Sequence, residues 1–439
     1  MYRAAAFALI GTTALATPIL GRFTAIPFVA VALLALFVIS DGPVFDLFAR
    51  PGDYRDRTLY GLAGFSLSAT VLALLATIPE PGLPVEMFVA AVCLLVYGNL
   101  AEQLVRAADY GRFVSTAGFV AGAFVAGIVT PLIAIRIGAG EAIAIEEVAF
   151  LAASGALLAA LLRSVLYERD DPVVMLTVAL FLWLFAHLGI ETSLATVSVA
   201  LGITAALGYA SYALETASIP GMLTGVLLSL LTIILGGYEW FLVLIAFFVI
   251  GGLSSKFQYE RKANRGVAEE NEGARGSGNV LGNSTVALVA VIGYAATPAL
   301  LPVSQDLFLF AFAGSIATAL SDTLSSEIGS VYDDPRLITT LERVEPGTDG
   351  GVTVQGELAG VVGAVVIAAI TALLFDGVGT GGAAVIIVAG VAGMTVDSLI
   401  GATLEGEVLG NQGVNFTATL AGATVGVGLA VAVGVAALV

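Results

Sequence analysis

The stretch Asp306-Leu-Phe-Leu-Phe-Ala-Phe-Ala-Gly-Ser-Ile-Ala-Thr-Ala-Leu-Ser-Asp322-Thr-Leu-Ser-Ser326 decides the fold class. From Leu307 to Ser321 it carries no charge, and a helix needs roughly 20 mostly apolar residues to cross a bilayer core. Runs of this kind recur on both sides of it. They predict membrane helices at 4–20, 24–40, 59–78, 86–103, 114–135, 147–166, 172–189, 194–214, 219–236, 240–253, 284–302, 306–326, 356–375, 382–400 and 417–438. The expected fold is an all-α, polytopic transmembrane helical bundle of about 13–15 membrane helices. No trustworthy small-residue cleavage site follows Met1–Leu20, so that run is read as a retained helix.

Composition agrees with that class. Apolar residues make up 58% of the 439-residue chain and charged residues only 12%, against about 25% charged in an average soluble domain. The charge is spread unevenly. If the N-terminus faces the cytoplasm and the spans alternate, the inner loops hold Arg3; Arg50, Arg55 and Arg57; Arg106 and Arg112; and Arg163 and Arg169. They also hold Lys256, Arg261, Lys262, Arg265 and Arg275, then Arg336 and Arg343. Of the 17 basic residues only Arg22 and Arg136 fall outside, the pattern that the positive-inside rule demands. The expected location is the plasma membrane, with the N-terminus and the polar loops cytoplasmic.

The net charge of −17 and the use of only two lysines, Lys256 and Lys262, resemble proteins of salt-accumulating archaea. Excess carboxylates hydrate a surface whose self-repulsion concentrated salt screens. One cysteine, Cys93, and one histidine, His187, exclude an internal disulfide, a zinc site and a Ser-His-Asp triad. Small-xxx-small pairs, among them Gly118/Gly122, Gly356/Gly360 and Gly422/Gly426, predict helices that approach closely. By character the chain divides into residues 1–190, with short loops and little polar patterning, and residues 195–439, which hold the long polar loops.

Three polar constellations lie in the second part. Lys256–Asn283 carries five basic residues and then glycines 273, 276, 278 and 282. A glycine-rich segment lets backbone N–H groups close around phosphate oxygens, with Arg275 adding a bidentate contact and Asn283 opening the next helix as its cap. The bland reading, positive-inside residues and a linker, is about as good from composition alone. The second constellation runs from Thr318 through Asp322 and Glu327 to Pro346-Gly-Thr348-Asp-Gly350-Gly351-Val-Thr353. Thr318, Asp322, Ser325 and Gly329 share one helix face. An acid inside a membrane helix is a functional candidate by default, and carboxylates suit Mg²⁺. The third is Thr395-Val-Asp397-Ser-Leu-Ile-Gly401-Ala-Thr403-Leu-Glu405, followed by Asn411 and Asn415. Gly390, Gly393, Asp397 and Gly401 lie on one side of that helix, which predicts a carboxylate held where a helix or ligand comes very close. By contrast Gly377-x-Gly379-x-x-Gly382 matches a dinucleotide fingerprint without the preceding strand and reads as a turn.

The phrases Arg275–Asn283, Ser321–Gly329, Pro346–Thr353, Asp397-Ser398 with Gly401-Ala-Thr403, and Asn415 resemble, in order, the signature of one integral-membrane family. That family, formerly a domain of unknown function, includes plant phytyl-phosphate kinase, vertebrate transmembrane protein 19 and many archaeal proteins. The resemblance covers about residues 195–439; Thr353 stands where the family usually has serine. It implies a kinase that converts a prenyl monophosphate to the diphosphate with a nucleoside triphosphate, CTP foremost, and Mg²⁺. Carried over residue by residue, Asp322, Glu327 and Asp397 become the expected catalytic acids and metal ligands. Arg275, Asn283, Thr348, Gly350 and Gly351 become the expected phosphate contacts, and Lys256, Gly276, Gly278 and Asn415 complete the candidate phosphate- or nucleotide-binding set. The partners expected are the bilayer, a prenyl phosphate and a nucleotide, with no nucleic acid. A lipid cytidylyltransferase-like enzyme and an ion-coupled transporter or flippase are the alternatives.

Overall fold

In the computed structural model the described residues are 1–79, 82–138, 143–166, 171–267, 276–406 and 408–438. Helices dominate. The first part contains α1 (Tyr2–Thr12), α2 (Thr17–Leu20), α3 (Ala25–Leu33), α4 (Gly42–Phe48), α5 (Asp53–Asp56), α6 (Tyr60–Leu75), α7 (Val85–Ala107), α8 (Arg112–Ile137), α9 (Ile145–Val165), α10 (Asp171–His187) and α11 (Leu194–Ala213). The second contains α12 (Ile219–Gly236), α13 (Tyr238–Ser255), α14 (Tyr259–Asn264), α15 (Ser277–Leu300), α16 (Gln305–Gly329), α17 (Val354–Leu374), α18 (Gly379–Leu404) and α19 (Asn411–Ala432). Two short strands, β1 (Arg336–Leu337) and β2 (Gly351–Val352), pair antiparallel in the loop between α16 and α17.

Twelve of the described helices are long and apolar enough to cross a membrane. The protein is an integral, multi-pass membrane protein. The predicted span at 24–40 is a bent pair, Ala25–Val38 with Gly42–Phe48, turning through 109°. The predicted spans at 59–78 and 172–189 are the shorter apolar helices Tyr60–Leu75 and Asp171–His187. Two predicted starts are corrected. The span expected from 284 begins at Ser277 and the one expected from 417 begins at Asn411. In both, the polar Asn/Gly motif winds into the helix instead of leading up to it.

The chain forms two compact units, Met1–Leu201 and Gly202–Val439, divided within α11. In the second unit α16 packs against α13, α15, α17, α18 and α19, and Phe312, Ile316 and Leu320 on it are fully buried. Backbone proximity is what allows so many neighbours. A methyl group at Gly356 would lie 2.6 Å from the Ser325 carbonyl oxygen, one at Gly360 2.9 Å from that of Ser321, and one at Gly426 2.8 Å from that of Phe310. Packing, not a hydrophobic drive, associates helices in lipid, so such seams hold the bundle together. Trp240 of α13 stacks near Tyr294, Phe312 and Phe375 at the opposite end.

In the first unit α7, enclosed from Glu86 to Val96, and α9, buried along most of Val148–Leu161, form the interior. The contact of α7 with α8 is equally close: methyl groups at Gly118 and Gly122 would lie 2.7 Å from Val105 and 2.4 Å from Ala101.

Candidate functional site

The site forms where α16, α18 and α19 meet. Thr318 is fully buried, and its Oγ1 donates to the carbonyl of Gly314 at 2.9 Å and, across the interface, to that of Ala389 at 3.4 Å. Methyl groups at Gly393 and Gly422 would lie 2.1 and 1.9 Å from that same Oγ1. Both glycines are therefore required by contact. This crossing fixes the helical register. One turn further along each helix, Asp322 and Asp397 come opposite one another, with their carboxyl groups at hydrogen-bonding range. Asp397 Oδ2 is buried with no protein hydrogen-bond partner, as is Ser321 Oγ. Two carboxylates at that range coexist only with a shared proton or a cation between them.

The pair sits deeper than the sequence reading placed it. Asp322 is seven residues before Gly329 and Asp397 seven before Leu404, about 10 Å from each helix end at 1.5 Å per residue. Further acids surround it. Glu405 acts electrostatically on both aspartates, and Glu357 and Glu327 act on Asp322. Glu405 lies beyond the end of α18; its carboxyl is pushed up by burial and by the nearby Asp349, while a hydrogen bond from Asn411 opposes the rise. Among the described residues no basic side chain forms a salt bridge with Asp322, Asp397, Glu405, Glu357 or Asp349.

Glu327, expected in the metal set, points away from the pair. Five residues separate it from Asp322, about 140° around a helix. It points to α14, where it accepts from Lys262 Nζ. Lys262 is only 1% exposed and also donates to the Ser255 carbonyl at 2.7 Å, so it closes the C-terminal end of α13 as it pairs with the acid. No three His, Cys, Asp or Glu residues among the described ones are grouped to hold a metal ion. What remains is a two-carboxylate arrangement, and it fits the way Mg²⁺ is commonly held, by one or two carboxylates with water and substrate phosphate completing the shell. The unpartnered Asp397 Oδ2 is the atom that such an ion would satisfy.

The loop Pro346–Val352 folds over the end of α18. Gly347 and Gly350 have φ of +86° and +71°, which glycine adopts without strain. A methyl group at Gly350 would lie 2.4 Å from Ala402 Cβ and 2.6 Å from the Ser398 carbonyl oxygen. Gly351 N–H donates to the Thr348 carbonyl at 2.9 Å, and the Thr348 hydroxyl donates to the Glu345 carbonyl at 2.7 Å. Thr353 then caps α17, its Oγ1 accepting from Gly356 N–H at 3.1 Å.

The expected glycine loop at 276–283 is also corrected. Gly276 is the N-cap of α15, and Gly278 and Gly282 lie inside the helix against Gln412 of α19. Asn283 is a buried helix-interior residue rather than a cap, its Nδ2 donating to the Asn279 carbonyl at 3.0 Å. Asn415, also buried, donates to Asn411 Oδ1 at 3.2 Å. Lys256 is exposed at the end of α13. Arg275 lies outside the described residues. Neither α15 nor α19 carries a capping side chain or an acid in its first turn, so the positive ends of two adjacent helices face the same end of the bundle as the aspartates. Sequence reasoning missed Lys262 as a buried partner. The only signal was a lysine in a chain that otherwise uses arginine almost throughout.

The integral membrane protein family DUF92 matches residues 202–423, just over half of the chain. The chain belongs to this family. Among relatives, an uncharacterized membrane protein of Methanocaldococcus jannaschii is 38% identical over 202 residues, covering 44% of this chain and 76% of the relative. A Synechocystis membrane protein, also uncharacterized, is 35% identical over 200 residues, covering 44% and 74%. Protein VTE6, chloroplastic, of Arabidopsis thaliana is 32% identical over 195 residues, covering 43% and 56%. No solved structure matches. The DUF92 match begins at the residue where the second compact unit begins.

Proposed function

We propose that the DUF92 unit is a membrane phosphotransferase that converts a prenyl monophosphate to the diphosphate with a nucleoside triphosphate, CTP foremost, as donor. The carrying observation is the facing pair Asp322 and Asp397, with Asp397 Oδ2 buried and without a donor. The motif resemblance to a family that includes a plant phytyl-phosphate kinase supports the same reading, as does the match to a chloroplastic plant relative.

The chemistry is economical for the protein. An oxygen of the acceptor monophosphate forms a bond to the γ-phosphorus, the bond from that phosphorus to the β–γ bridging oxygen breaks, and the nucleoside diphosphate leaves with the electron pair. A phosphate monoester has a second pKa near 6, so at neutral pH the attacking oxygen is already deprotonated and no general base is required. Asp322 and Asp397 would hold Mg²⁺, which when bound neutralises phosphate charge in a site otherwise crowded with carboxylates. The unblocked N-termini of α15 and α19 orient phosphate oxygens through their N–H groups. The Pro346–Val352 loop packs on Gly401 and Ala402 at the end of α18. The prenyl chain stays among the membrane helices while the nucleotide arrives from the side holding these loops, which the positive-inside pattern makes cytoplasmic.

Membranes containing the full chain, supplied with geranylgeranyl phosphate, Mg²⁺ and γ-labelled CTP or ATP, should yield labelled diphosphate and release nucleoside diphosphate. Release of pyrophosphate instead would move the protein to nucleotidyl transfer. Absence of labelled lipid with every nucleotide, from protein that is demonstrably folded, would overturn the reading.

A further inference from the structure

The N-terminal unit, expected from sequence to have little polar patterning, contains a built polar cavity. It measures about 370 Å³, at the small end of the 300–1,000 Å³ typical of ligand pockets. Arg3, Arg50, Arg106, Arg112 and Arg163 line it, together with Asp46, Glu102 and Asp171. These residues come from the chain start, α4 and the α4–α5 connection, the end of α7, the start of α8, the end of α9 and the start of α10. All of these segments fall at one end of the unit's helices.

Part of the charge is compensated. Arg163 bridges Glu102 at 3.3 Å and Asp171 at 2.8 Å, Arg106 holds Glu102 at 2.6 Å and Arg50 holds Asp171 at 3.3 Å. Phe119 stacks under the Arg163 guanidinium at 5.1 Å. The bridged network fixes three guanidinium groups in place. Arg3 and Arg112, on the same cavity, have no acidic partner among the described residues. Among the lining side chains, five arginines against three acids leave an excess of two positive charges. That matches a phosphate monoester, which carries about −1.5 to −2 at neutral pH. Guanidinium groups are also the side chains whose fork fits phosphate oxygens pairwise. Behind them the wall is apolar, formed by Phe7, Phe65, Leu95, Val96, Phe119 and Val174.

We propose that this cavity is a phosphate-binding site of the N-terminal unit, with Arg3 and Arg112 as the unneutralised contacts and Arg163 as the prepositioned third. The phosphate has two possible carriers, a lipid head group and a soluble anion, which the experiment separates. Purified full chain in detergent is titrated calorimetrically, at one fixed salt concentration, with inorganic diphosphate and with geranyl phosphate. The same titrations are run on Arg3→Gln/Arg112→Gln, whose side chains are exposed, and on Asp322→Asn. The expected result is a binding event weakened at least about tenfold in the arginine variant and retained in Asp322→Asn. Equal binding of both probes assigns the site to phosphate as such, and binding of geranyl phosphate alone assigns it to a lipid head group. The proposal falls if neither probe binds, or if the folded arginine variant binds as tightly as the unaltered chain. Failure of kinase activity with this binding intact would count against the DUF92 unit's proposed role only.

Discussion

The two units handle charge in opposite ways at the ends of their helices. In the N-terminal unit the buried Glu102 and the half-buried Asp171 are each bridged by two arginines, and the surplus is positive. In the DUF92 unit the buried Glu327 is matched by Lys262 and the exposed Asp333 and Asp334 by arginines, while Asp322 and Asp397 face each other with no basic side chain bridged to either among the described residues. The difference separates charge matched by an opposite charge from charge that is not. Compensated pairs hold helices together, and uncompensated ones cost stability until something binds.

That contrast can be broken at its strongest point first. Lys262→Met leaves Glu327 buried without its cation and should cost about 3–5 kcal/mol of stability, measured by denaturant unfolding in detergent. Lys262→Met/Glu327→Leu should recover most of that loss, and failure to recover would show that Lys262 matters for something beyond the pair. Next, Gly422→Ala pushes a methyl group into Thr318 at the crossing that sets the aspartate register. It should cost about 1–3 kcal/mol and reduce phosphoryl transfer. Gly252→Ala, where a methyl group meets nothing within 4 Å, should change stability by no more than about 0.5 kcal/mol. Arg163→Ala leaves Glu102 and Asp171 each with one arginine, and should cost about 1–3 kcal/mol, comparable to Gly422→Ala and less than Lys262→Met in the same assay.

The smallest effect concerns Glu405. Burial and Asp349 raise its pKa in the folded protein, so the folded state holds that proton to a higher pH than the unfolded chain. Stability contributed by its protonation therefore grows as pH falls from the raised value toward the ordinary glutamate value, and is absent above it. Glu405→Gln should flatten that slope in unfolding curves taken across the weakly acidic range. An unchanged slope would assign it elsewhere.

Much of the fold was legible because hydropathy and helix length are the same fact in a bilayer. Each predicted run corresponds to a described helix or to the bent pair. The errors fall where polarity was taken to mean loop. Ser277–Asn283 and Asn411–Asn415 are helical because their small and amide side chains pack against the neighbouring helix, as Gly278 and Gly282 do against Gln412. Asp322 was legible as an acid among hydroxyl neighbours and Asp397 as a glycine-flanked acid, but their register depends on Thr318 touching Gly393 and Gly422, a contact among three distant segments that no local pattern encodes. The pairing of Glu327 was not legible, because the motif string puts it beside Asp322 while the helix turns it toward Lys262. The arginine cavity was invisible because its residues arrive one or two at a time from separate helix ends.

The central claim is that Asp322 and Asp397 are held together in readiness for a cation, and thermal unfolding of the full chain with and without Mg²⁺ tests it most directly. Unaltered protein should be stabilised by Mg²⁺, whereas Asp397→Asn should be more stable than it in chelator and indifferent to the ion. An Asp397→Asn variant that is weaker in chelator, or that responds to Mg²⁺ as the unaltered chain does, would contradict the account.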